Sequence, residues 1–144
     1  MGNIKSGTWY KTFYGAGIET LTAAKTLTAQ DTGTVYVINV AAAKVFTLPA
    51  PSANLWFKFV VGATEPTGTH TIVTNGSSNI IEGQIGTSED AAGSVATAAD
   101  SDTISFVANK AIHGDWVSLW CDGTNWYVDG MCKVQDGMTT TQAG

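Results

Sequence analysis

The stretch Asp115-Trp116-Val117-Ser118-Leu119-Trp120-Cys121-Asp122-Gly123-Thr124-Asn125-Trp126-Tyr127-Val128-Asp129-Gly130-Met131 decides the fold. Two apolar-rich runs flank Asp122-Gly123-Thr124-Asn125, and an Asp-Gly step between such runs is a strong short-range signal for a β-hairpin. With the turn at Asp122 to Asn125, Cys121 stands opposite Trp126, Trp120 opposite Tyr127 and Leu119 opposite Val128. Side chains alternate between faces along a strand. One face therefore carries Val117, Leu119, Cys121, Trp126 and Val128. The other carries Trp116, Trp120, Tyr127 and Met131, with Ser118 and Asp129 between them. A sheet wet on one side alternates apolar with polar residues, and this hairpin does not. Both faces ask for cover. The domain's own core supplies one; a second layer of the chain, a neighbouring copy or a partner must supply the other.

Working outward, the rest of the chain reads as strand after strand. Thr103 to Ala108 places Ile104, Phe106 and Ala108 inward. Thr34 to Val40 is dense in β-branched and aromatic residues and reads as a central strand. Val45 to Leu48 is stopped by Pro49 and Pro51, since proline removes a ladder donor. In Asn54 to Val61, Leu55, Phe57, Phe59 and Val61 share one face, and Trp56, Lys58 and Val60 the other. His70 to Thr74 runs into Asn75-Gly76, a type I′ turn signal, with Asn79 to Ile85 as the return strand. Gly86 to Ser101 reads as a long loop with a short strand. Without long helices, this spacing predicts an all-β, antiparallel sandwich or barrel, jelly-roll-like, of about 8–10 short strands.

The expected organisation is an extended N-terminal arm over 1–24, a single β domain over 25–134 and a loose polar tail over 135–144. In the arm, Trp9, Tyr10, Phe13 and Tyr14 crowd four aromatics into six positions, followed by Gly15-Ala16-Gly17. Rigid aromatics of this kind anchor well in a partner's pockets. The alternative is an ordinary first strand folded onto its own core.

Composition excludes several function classes. The net charge is −5, there is no Arg, and the seven Lys are scattered singly. Arg is the preferred residue for bidentate phosphate and base recognition, so nucleic acid is not an expected partner. No run approaches the ~18 apolar residues of a membrane span, and no membrane partner is expected. Cys132 lies roughly 20 Å along the ladder from Cys121 at ~3.3 Å per residue. A disulfide needs Cα atoms within ~7 Å, so the expectation is two reduced thiols, as in a protein matured in a cytoplasm.

Catalytic wording is missing. His70 and His113 have no carboxylate or Cys at metal-ligand spacing and read as surface turn residues. Asp100-Ser101-Asp102 lacks the glycine and bidentate Glu of a calcium loop and reads as a solvated loop. Glu82 and Glu89 do not form a convincing glycosidase pair. No nucleophile elbow, phosphate loop or dinucleotide fingerprint occurs. The expectation is a protein that is not an enzyme and uses no cofactor or metal.

Leu27-Thr28-Ala29-Gln30-Asp31-Thr32-Gly33-Thr34-Val35-Tyr36-Val37-Ile38-Asn39, Val45-Phe46-Thr47-Leu48-Pro49-Ala50-Pro51 and Leu55-Trp56-Phe57-Lys58-Phe59-Val60-Val61 resemble head decoration (cement) proteins of tailed bacteriophages. Ala99 to Ala108, Gly114 to Leu119 and Asp122 to Val128 look similar too, so the resemblance covers most of 25–134 and leaves the arm outside. It implies a structural protein made in the host cytoplasm and added to the outer surface of the virion head. There it would bind the major capsid protein, bridge neighbouring subunits and form a homo-oligomer, commonly a trimer. On that basis Trp116, Trp120, Tyr127, Met131 and Trp56 are expected between copies, and Trp9, Tyr10, Phe13 and Tyr14 on the capsid or an adjacent copy. Virion β-modules of tail fibres use similar wording, so the competing expectation is a receptor- or glycan-binding module.

Overall fold

A computed structural model describes residues 17–89 and 96–144. The aromatic arm residues Trp9, Tyr10, Phe13 and Tyr14, and their expected docking role, lie outside the described residues. Among those described the strands are β1 (Ile18–Leu21), β2 (Lys25–Thr26), β3 (Thr34–Ile38), β4 (Val45–Thr47), β5 (Trp56–Val61) and β6 (His70–Val73). They continue with β7 (Ile81–Thr87), β8 (Ala96–Ser101), β9 (Thr103–Phe106), β10 (Trp116–Cys121), β11 (Trp126–Cys132) and β12 (Met138–Thr141). A seven-stranded sheet in the order β1-β3-β5-β10-β11-β7-β8 packs on a five-stranded sheet in the order β12-β9-β6-β4-β2. The chain is an all-β sandwich.

The hairpin register matches the sequence reading: Cys121 pairs with Trp126, Trp120 with Tyr127 and Leu119 with Val128. Asp122 makes the turn. Its Oδ1 accepts the Thr124 and Asn125 N–H groups, each at 2.8 Å, and Gly123 takes φ +108°, a conformation that costs glycine little.

Pairing direction differs from the antiparallel expectation. β5–β10, β10–β11, β7–β8, β6–β9 and β9–β12 are antiparallel, whereas β1–β3, β3–β5, β7–β11, β2–β4 and β4–β6 are parallel. From β1 to β6 the chain alternates between the sheets at every strand. Parallel neighbours need a crossover connection, and here the intervening strand of the opposite sheet serves as that crossover.

The same crossing explains other corrections. Asn75-Gly76 does not close a hairpin: β6 lies in the five-stranded sheet and β7 in the seven-stranded one. Gly76 (φ +68°) and Ser77 (φ +52°) turn the chain from one layer into the other. Asp100-Ser101-Asp102 is not a solvated loop but the corner where β8 leaves one sheet and β9 enters the other. Ser101 and Asp102 are buried, and Asp102 donates to the Thr141 carbonyl and accepts from the Thr74 N–H, both at 2.9 Å. The 86–101 region, expected as a long loop with a short strand, carries the end of β7 and all of β8.

Both expected domain limits move. β1 falls inside the 1–24 span, yet it pairs with β3 and buries Leu21. The 135–144 tail is not loose: β12 pairs with β9 and buries Met138 against Phe106. A threonine-rich strand with one apolar residue looks polar in sequence, although it needs only its inward positions to dock.

The core lies between the sheets. Tyr36, Phe57, Phe59 and Trp126 enter from the larger sheet and Phe46, Ile72, Ile104 and Phe106 from the smaller, all fully buried. Tyr36 stacks on Phe59 at 5.2 Å, Phe46 meets Phe59 at 5.9 Å, and Phe57 meets Trp126 at 5.9 Å. Val117, Leu119, Cys121, Trp126 and Val128, one face of the hairpin, are all buried here.

Candidate functional site

The other hairpin face points away from the sandwich, and the strand registers extend it into rows. One row runs Val37, Val60, Trp116, Met131 across β3, β5, β10 and β11. The next runs Ile18, Val35, Lys58, Ser118, Asp129, Gln84. The third runs Trp56, Trp120, Tyr127, Glu82. The five residues expected together, Trp56, Trp116, Trp120, Tyr127 and Met131, therefore share one surface. Val35, Val37 and Ile18 join them unforeseen. Their alternation was readable in the sequence, but their place beside Lys58 depends on parallel pairing that the sequence reading did not anticipate.

Trp120 is 49% exposed, Met131 41% and Ile18 78%. Trp120 stacks on Tyr127 with ring centroids 4.4 Å apart and planes 21° from parallel. The Tyr127 hydroxyl donates to Asp122 Oδ2 at 3.1 Å, which locks the stacked pair to the turn. Asp122 is held below the usual carboxylate range, mainly by the Asn125 and Thr124 N–H groups, with the Tyr127 hydroxyl adding a smaller effect. Lys58 Nζ lies 4.6 Å from the centre of the Trp116 ring, a cation–π contact. Monomers rarely expose apolar patches beyond ~300–600 Å², and aromatic side chains of this kind bury ~150–250 Å² each. The surface is suited to being covered.

The histidines, acids and thiols singled out in the sequence lie elsewhere, and several of them are held by backbone groups. His70 is not a surface residue: it is fully buried. Its Nδ1 accepts the Lys44 N–H at 3.1 Å, and Nε2 lies 2.9 Å from the Val40 carbonyl. That pattern requires the neutral ring with its proton on Nε2. His113 is exposed. Asp115 is buried, and its two oxygens accept the Ile112 N–H at 2.9 Å and the Lys133 N–H at 3.0 Å. It ties the base of the hairpin, and burial pushes its carboxyl up. Cys121 and Cys132 are buried free thiols. Burial raises the Cys132 thiol. Glu82 accepts the Asp100 N–H at 3.2 Å, and Glu89 accepts the Gln135 N–H at 2.5 Å. Among the described residues no three His, Cys, Asp or Glu side chains group as metal ligands, and no helix is long and apolar enough to cross a membrane.

Comparison with known proteins returned no matching family model, no matching curated protein and no matching solved structure.

Proposed function

We propose that this chain is a structural virion protein, a decoration or cement protein of a phage head. It binds the outer surface of the expanded shell, contacts the major capsid protein and bridges neighbouring subunits. The observation that carries this reading is the aromatic face of the seven-stranded sheet, built on rigid strands and left uncovered by the other sheet. The resemblance of 25–134 to decoration proteins supplies the shell as the setting, with trimers as the expected assembly. Trp56, Trp116, Trp120, Tyr127 and Met131 lie between copies in this reading, and the arm residues Trp9, Tyr10, Phe13 and Tyr14 grip capsid or an adjacent copy.

The mechanism is linkage. A ligand that binds only the assembled shell stabilises it by mass action. Bridging by many copies adds avidity, because each second contact forms at high effective concentration.

The test mixes the purified full chain with expanded and unexpanded heads. Saturable binding to expanded heads, with a rise in the temperature at which they come apart, is the expected result. No binding to either form removes the proposal. Deleting residues 2–16 should leave a folded oligomer that binds expanded shells poorly, and unchanged binding removes the arm from this role.

The stacked Trp120–Tyr127 pair, with Asp122 beside it, favours one second reading: a glycan platform of a tail-fibre module, where aromatic faces stack on sugar rings. Binding on a glycan array without binding to heads would select it.

A further inference from the structure

The central row of the aromatic face carries two opposite charges. Lys58 and Asp129 stand on either side of Ser118, each its direct neighbour in the ladder. They are two strand spacings apart, about 9–10 Å. Neither is in a salt bridge among the described residues, where the pairs are Lys25–Glu19 and Lys110–Asp136. Lys58 keeps its cation–π contact with Trp116, but an apolar occupant would bury both charges without an ion partner, which is costly. The occupant must therefore present an acid and a base at the same spacing, in reversed order, within an apolar surround.

We infer that the occupant is a second copy of this chain, docked face to face about a twofold axis that runs along β10. This rests on the reading that the face lies between copies, and it replaces the implied threefold contact with a twofold one. A twofold contact uses one patch twice, and that patch must be self-complementary. Rotation about β10 leaves Ser118 opposite its own mate and carries β5 of one copy over β11 of the other. Lys58 then faces Asp129 of the second copy, and the pairing occurs twice. The same operation sets Trp56 over Tyr127 and Val60 over Met131. Sheets stacked face to face stand ~10 Å apart, a gap that a lysine and an aspartate span together. Stacked sheets cross at about 30°, and the axis then bisects the two β10 directions while the central row stays paired. Charge order gives the contact its direction: sliding one copy by a strand would set uncharged Ser118 or Gln84 opposite Lys58 and leave both charges unpaired, and sliding it by two would set Lys58 against its own mate.

Charge reversal tests this on the full chain, with mass followed by analytical ultracentrifugation over a dilution series and folding checked by circular dichroism. The wild type is expected to be a dimer. Lys58→Glu or Asp129→Lys alone should weaken dimerisation by ~10-fold or more, because close interfacial charge pairs are strongly coupled. The double variant should return to near the wild-type affinity. A wild type that is monomeric throughout, a trimer indifferent to the single changes, or a double variant that gains nothing back would overturn the inference. If deleting residues 2–16 turns a monomer into a dimer, the chain's own arm was the cover and the inference also falls. Ser118→Cys treated with a short bismaleimide gives an independent reading: a covalent dimer is expected, and its absence counts against the axis. Head binding is scored separately. Heads bound by a chain that fails charge reversal leave the decoration reading standing, and charge reversal without head binding does the opposite.

Discussion

The outward faces of the two sheets are made of different residues on the same backbone. On the five-stranded sheet one row runs Thr141, Thr103, Val73, Thr47, Thr26 and the next runs Thr139, Ser105, Thr71, Val45. On the seven-stranded sheet the corresponding positions hold Trp56, Val60, Trp116, Trp120, Tyr127 and Met131. Threonine and the large aromatics both favour strands, so strand formation does not explain the difference. Threonine keeps its hydroxyl in contact with water, while tryptophan offers area that gains free energy only when it is removed from water. One face is finished by solvent. The other gains free energy on being covered, and that contrast is what the functional proposal rests on.

The sharpest way to break the contrast is to compare a residue inside the sandwich with one outside it. Phe57 is fully buried and lies 5.9 Å from Trp126 and 6.4 Å from Tyr36. Phe57→Ala should cost ~3–5 kcal/mol in urea denaturation. Trp120→Ala should cost only about 1 kcal/mol at dilutions where copies are apart, mainly the stacking on Tyr127, and should abolish association. Equal losses of folding stability would mean that Trp120 serves the fold, and the outward face would lose its special standing.

Local signals made much of this readable in the sequence. The Asp-Gly turn fixed the hairpin register, and period-two alternation separated Phe57 and Phe59 from Trp56 and Lys58. What escaped depends on strand order. A four-residue strand such as β1 has no strong period, and its parallel partner β3 is separated from it in sequence by β2. β12 carries one apolar residue and three threonines, a pattern shared with solvated tails. His70 escaped for a related reason: its two partners, the Lys44 N–H and the Val40 carbonyl, are backbone groups and leave no trace in side-chain spacing. The aromatic face was half visible, since the hairpin announces its own two strands but not the neighbours that widen it.

His70 gives the next effect in size. Burial, reinforced by the charge of Lys44, lowers its basicity below the ordinary value, and the Val40 hydrogen bond opposes this. As pH falls, the unfolded chain takes up the proton first. The His70 contribution is therefore present above ~6.5, the ordinary value, and is lost as pH drops below it. One such proton changes stability by up to about 1.4 kcal/mol per pH unit. Wild-type melting should fall between pH 7 and pH 5 more steeply than that of His70→Gln, which has no ring to protonate. Parallel curves would show that the buried imidazole is not the titrating group. Because His70 lies between the sheets and not on the aromatic face, association at fixed folded fraction should be unaffected.

The smallest effect belongs to the threonine face. Thr71 sits on β6 between Val45 of β4 and Ser105 of β9, with its side chain half-buried and directed away from the core. Thr71→Ala removes a β-branched residue from a central strand position and should cost at most ~1 kcal/mol of folding stability, the full span of strand propensity. It should change neither the oligomer mass nor head binding. A silent result is informative only because Trp120→Ala, an exposed residue on the opposite face, is expected to be loud in the same assays. If Thr71→Ala weakens association instead, the five-stranded face is also covered in the assembly. Hydroxyl-rich and aromatic surfaces would then both be interfaces, and residue chemistry would no longer tell which side of the sandwich meets protein.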